Sequence, residues 1–271
     1  MPRRRTRTNS NLIYPFTFAC TRDLDCLTML VQSATKIMYP KLGRWAVHVD
    51  PGEEHLANTI DVAQIDVVLR QPGFSPWTEH SAVVKWDGFL RTALLREASD
   101  SDYVVHVDSD CIFYSPGVLD LLASTADIIG PLHAPPVQAL GAPFSWCSGA
   151  FMALRVGALR DIASSMSVAQ AQQTMRRQGL GPDPSGDSPT IHDDVVISFM
   201  FHMASARFRN AAPLARTGDL EAVVLGHEAP PSLLHYGTDT REFLGVKNCP
   251  KWKFPAAIDG LCPKKALTHV V

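Results

Sequence analysis

The sequence predicts an α/β protein in which a mostly parallel central sheet is flanked by helices. Short apolar runs alternate with segments whose apolar residues recur every three or four positions, the pattern of strands joined by amphipathic helices. One apolar run, Tyr103 to Val107, stops at two carboxylates one residue apart, Asp108 and Asp110. Breaker-rich stretches, 131–146 and 179–189, read as long loops, which in such sheets gather with ligands at the carboxyl edge.

Taken in order, Ile13 to Cys20 reads as the first strand, Thr21-Arg22-Asp23 as a polar break, and Leu24, Leu27, Leu30, Val31, Ala34, Ile37 and Met38 as one face of a helix. Pro40 and Gly43 end it. Trp45 to Asp50 and Ile65 to Leu69 are the next strands, with Pro51-Gly52 as a stop between them. Val83, Val84, Phe89, Leu90, Leu94 and Leu95 mark a helix running to about Glu97. Lys85 lies near its start, where a cation opposes the helix dipole unless an anion is close; Arg91 reads as part of the solvated face.

Beyond the carboxylates, Pro116-Gly117 opens a short helix and Asp127 to Gly130 reads as a strand. Cys147 to Arg155 is an apolar strand entered through Gly149, either a turn glycine or a point of close approach for a ligand. Val156 to Gln178 reads as one helix. His192-Asp193-Asp194 then opens an apolar helix from Val195; helix capping accounts for one of these acids, and the other is available for chemistry. A late short strand, Leu233-Leu234, leads into His235.

Composition narrows the class. The chain has 271 residues, 46% of them hydrophobic, enough for a sizeable core. With 25 Lys and Arg against 27 Asp and Glu, the formal charge of -2 lacks the excess of a dedicated nucleic-acid binder. Arg3, Arg4, Arg5 and Arg7 crowd the start, as a solvated tail or an arm for an acidic surface. No apolar run spans a bilayer and none follows the basic start, so the expectation is a soluble cytoplasmic protein without a transmembrane anchor. The six cysteines show no zinc-type spacing and read as reduced thiols, with a Cys249 to Cys262 bridge left open. The expected layout is a basic tail over 1–12, one domain over 13–245, and a C-terminal tail over 246–271 that packs on or closes the site.

Carboxylates at the end of a buried strand suit a hard divalent ion, which bridges naturally to phosphates. The order of features is more specific than any one of them: strand and polar turn, Lys-bearing helix, strand ending in Val107-Asp108-Ser109-Asp110, Gly-containing strand, His192-Asp193-Asp194-Val195, and a late His. In that order the chain resembles the GT-A-fold glycosyltransferases, Rossmann-type enzymes with acceptor-side loops that move a sugar from a nucleotide diphosphate to an acceptor hydroxyl. The resemblance implies that Asp108, Asp110 and His235, or His227 in its place, hold Mn²⁺ or Mg²⁺. It implies that Thr21, Arg22 and Asp23 take the base of a UDP- or GDP-sugar, and that Lys85 and Ser109 meet the rest of the donor. Trp146, Ser148, Gly149 and His192 then shape the sugar or acceptor. The resemblance also implies that Asp194, with Asp193 beside it, is the base if the transfer inverts; if the transfer retains, that carboxylate is free to bind the acceptor. The acceptor is a glycan, a small molecule or modified DNA.

Rival readings of Asp-x-Asp fit less well. A haloacid-type phosphatase needs Thr where Ile112 stands, a calcium loop needs Gly where Phe113 stands, and a nucleotidyltransferase needs an earlier Gly-Ser pair. The remaining alternative is an inactive glycosyltransferase-like protein that binds a sugar or nucleotide.

Overall fold

The computed structural model describes residues 11–19, 24–38, 41–55, 65–69, 81–109, 111–113, 116–133, 144–180, 191–211, 215–217 and 233–235. Its strands are β1 (Ile13–Phe18), β2 (Trp45–Val49), β3 (Ile65–Leu69), β4 (Tyr103–Val107), β5 (Cys111–Phe113), β6 (Ile128–Gly130), β7 (Leu132–His133), β8 (Trp146–Cys147), β9 (Phe151–Arg155), β10 (Phe208–Asn210), β11 (Ala215–Thr217) and β12 (Leu233–His235). The helices are α1 (Leu24–Met38), α2 (Ser81–Leu95), α3 (Gly117–Leu122), α4 (Val156–Ser165), α5 (Val168–Arg177) and α6 (Asp193–Met203).

Among the described residues seven strands form the main sheet, in the order β10-β6-β9-β4-β1-β2-β3. β9 alone runs antiparallel, pairing Tyr103 with Arg155 and Val107 with Phe151 on one side and Ile128 with Leu154 on the other. Its direction brings the turn before it, and hence Gly149, to the same edge at which β4 delivers Asp108.

Both faces of the sheet are covered, which is why its strands read as unbroken apolar runs. Tyr103, Val105 and Val107 point into a core with Leu27, Leu30 and Val31 of α1 and Val118 and Leu121 of α3. Val104 belongs to the other core, with Trp86 and Phe89 of α2 and Val196 and Phe199 of α6. The period of two within β4 sends His106 toward that second layer, against Phe16 and Phe89.

One expectation is corrected. The single helix over 156–178 is two, because Met166 is extended and Ser167 starts a new helix by a capping box with Gln170. β4 ends at Val107, as read, and β5 beyond it enters a separate sheet of order β11-β12-β5. Leu12, the last residue of the expected N-terminal tail, donates its N–H to Asp102 Oδ1 at 3.0 Å. Residues 1–10 and 246–271, and with them Cys249 and Cys262, lie outside the described residues. Among the described residues no helix is long and apolar enough to cross a membrane.

Candidate active site

At the end of β4, Asp108 N–H donates to Ala150 C=O at 3.0 Å, and Asp108 C=O accepts from Cys111 N–H at 3.1 Å. These bonds hold the Asp108 backbone between the turn before β9 and the start of β5. Its side chain is 36% exposed at the edge, whereas Ser109 beside it is buried. Asp110, Thr21, Arg22, Asp23 and His227 lie outside the described residues. Of His235 the backbone is described: β12 pairs antiparallel with β5, and His235 stands opposite Cys111, one residue beyond Asp110.

The acidic helix start reaches the same edge. Lys85 of α2, buried to 7% exposure, places Nζ 2.7 Å from Asp193 Oδ2, so the anion that a cation early in a helix requires is present. Asp194 Oδ2 accepts from Gly149 N–H at 3.0 Å, and its Oδ1 accepts from Val195 N–H in the first turn of α6 at 2.9 Å. One oxygen of Asp194 thus takes the first-turn amide of Val195, while the N-cap residue His192 makes no side-chain cap, and the other oxygen is tied across to the β9 turn. A Cβ on Gly149 would stand 2.6 Å from Lys85 Nζ, so glycine lets the ammonium approach the backbone closely.

Burial and charge set the protonation states. Burial opposes the charge on Lys85, but Asp193, Asp108 and Asp194 outweigh it and hold the ammonium above its usual range. Burial likewise opposes ionisation of Asp193, and Lys85 outweighs it, so this carboxyl stays below the usual range. Asp194 is raised to about 6, first by burial and then by the charge of Asp193.

Trp146 and Ser148 lead into Gly149, so the expected acceptor-side residues share one segment. Trp146 stacks on His133 with ring centroids 4.2 Å apart, and Ser148 N–H donates to Pro131 C=O at 2.8 Å. His192 is exposed and is the N-cap residue of α6, two positions before Asp194. Arg91 pairs with Asp87 at 2.6 Å on the surface of α2, in keeping with a solvated face.

One residue of the site was not singled out in the sequence. His106 Nδ1 lies 2.9 Å from Gly149 C=O, and burial together with Lys85 lowers its pKa to about 3, so it is neutral. Its 3.8 Å approach to Asp108 is therefore no ion pair. A lone polar residue inside Tyr-Val-Val-His-Val, two before Asp108, was the available signal.

Among the described residues no three His, Cys, Asp or Glu side chains gather in metal-holding geometry. A partly exposed Asp108 carboxylate nevertheless offers the hard oxygen donors that a divalent ion takes, and the β5 to β12 register sets the His235 backbone opposite Cys111.

No protein-family model matches the sequence, and no curated protein matches it. Solved structures match the fold. The chain superposes on the galactosyltransferase LgtC, solved with donor and acceptor sugar analogues, with a TM-score of 0.57 and 12% identity over 95% of this chain and 100% of that one. It superposes on the glycosyltransferase GlyE of Streptococcus pneumoniae TIGR4 with a TM-score of 0.50 and 10% identity, over 95% of this chain and 64% of that one. The chain has the GT-A fold found in these glycosyltransferases.

Proposed function

We propose that the protein is a glycosyltransferase that moves a sugar from a UDP- or GDP-sugar to an acceptor hydroxyl, dependent on Mn²⁺ or Mg²⁺, with inversion at the transferred carbon. The observation that carries this reading is the meeting of Asp108, the Lys85–Asp193 pair and Asp194 at one edge of a sheet with the GT-A fold. In this reading Asp108, Asp110 and His235 hold the metal. When bound, the ion supplies Lewis-acid stabilisation of the charge that grows on the departing diphosphate.

Asp194 takes the proton from the acceptor hydroxyl as that oxygen attacks. A positioned base of this kind contributes about 10²- to 10⁴-fold. Its Gly149 and Val195 hydrogen bonds aim the carboxylate and leave lone pairs for the acceptor. Lys85 keeps Asp193 ionised and shields the donor side from its charge. Thr21, Arg22 and Asp23, in the β1 to α1 connection, take the nucleotide base; Ser109 supports the Asp-x-Asp turn. Trp146, Ser148, Gly149 and His192 line the acceptor side, where a glycan, a small molecule or modified DNA is received.

The test is a panel of UDP- and GDP-sugars scored by nucleoside diphosphate release, with and without EDTA, followed by NMR of the product. Metal-dependent release with at least one donor and an inverted anomer is expected. Release equal to background with every donor would leave a sugar- or nucleotide-binding protein, and a retained anomer would remove Asp194 from the role of base.

A further inference from the structure

Gly149 combines two demands that conflict. Lys85 Nζ comes so close that any side chain here would displace the buried ammonium from its place beside Asp193, yet glycine leaves its own backbone free to rotate. The direction of the Gly149 N–H, which holds Asp194 Oδ2, must then be set from outside the residue. Two contacts do this: Asp194 on the amide side, and His106 on the carbonyl side at 2.9 Å. A carbonyl only accepts, so His106 Nδ1 carries the proton and donates it. The imidazole is itself fixed, 1% exposed, with ring centroids 5.1 Å from Phe16, 5.5 Å from Phe18 and 6.4 Å from Phe89.

We propose that His106 is a positioning residue for Asp194, acting through the two peptide groups that flank the Gly149 Cα. The inference rests on the reading of Asp194 as the base. It makes β4 the source of two separate controls on the reaction: Asp108 on the leaving group's side, and His106, two residues earlier, on the aim of the carboxylate across the site.

A purely structural His106 and a positioning His106 rank substitutions in opposite orders. His106→Phe fills the aromatic cage and has no donor. His106→Asn fills it poorly, but its amide nitrogen stands the same number of bonds from Cα as Nδ1. The experiment measures kcat, donor KM and thermal midpoint for the wild type and both variants in the full chain, with Asp194→Asn alongside.

We expect the Phe variant to be the more stable of the two but the less active, with kcat lowered on the order of 10- to 100-fold and donor KM within about threefold. The Asn variant should recover part of that loss. Activity that follows the thermal midpoint, or a Phe variant with wild-type kcat, overturns the proposal. If the Phe variant does not fold, His106→Leu replaces it as a donorless match in size for Asn, and equal kcat in the Leu and Asn variants overturns it. Full transfer by Asp194→Asn would bring down the base assignment itself. An inactive Asp194→Asn beside an unaffected His106→Phe would bring down this inference alone.

Discussion

Lys85 makes its short contact with Asp193, while Asp194, one residue on, has backbone amides as its hydrogen-bond partners and a carboxylate as its neighbour. The protonated form of Asp194 is favoured in the folded protein, with a pKa of about 6 against an ordinary 3.8. A base works only when ionised, so transfer should rise as pH climbs through about 6 and fall about tenfold per unit below it. A pH profile of kcat checks this, and a profile flat from pH 5 to 8 would contradict it. Stability has the opposite sign: the contribution of Asp194 is fully present below its unfolded pKa and is lost as pH rises through the folded one. Asp193 runs the other way, since its depressed pKa gives stability that is lost in acid. The acidic pair was legible in the sequence as a pair, because two carboxylates before an apolar run are conspicuous. Their division of labour was not, because it depends on which of them meets a lysine from another helix.

At the scale of elements, α2 lies close to β1 because Gly88 leaves room for phenylalanine. A Cβ at Gly88 would meet the Phe16 ring at 2.7 Å, and that ring is hemmed in by His48, Phe89 and His106. Gly88→Ala should therefore push the helix outward at a cost of about 1–3 kcal/mol. Lys85 stands one turn earlier on α2, so the same variant should lower transfer as well as the thermal midpoint. A melting curve with an activity assay at a temperature where the variant is folded checks both; unchanged stability would show that the ring yields. The strands and α2 were readable from their periodicity, which burial on both faces enforces. The break at Met166 was missed because apolar spacing continues across it, although Ser167 and Gln170 carried the capping signal. The reversed direction of β9 leaves no local trace, since strand residues look alike whichever way they run.

For the whole molecule, among the described residues, two cores flank the large sheet, and the smaller sheet β11-β12-β5 ties distant parts of the chain together beyond Asp108. A ligand bound there stabilises the native state, by about 2.7 kcal/mol at 100 times its dissociation constant. Mn²⁺ with UDP or GDP should raise the thermal midpoint and slow amide exchange at Leu233–His235, and His235→Ala should shrink both effects. Identical melts with and without metal and nucleotide would contradict the placement of the donor. The large sheet was legible from local pattern. The partnership of Cys111 with His235 was not, because a pairing between remote short strands is fixed by the assembled chain. That pairing also orders events during synthesis. A nascent chain has exposed every strand of the large sheet once Asn210 leaves the ribosome, while β12 is still to come. Lys85, Gly149, Asp193 and Asp194 have thus all emerged before β12, the strand that pairs with β5 beyond Asp108.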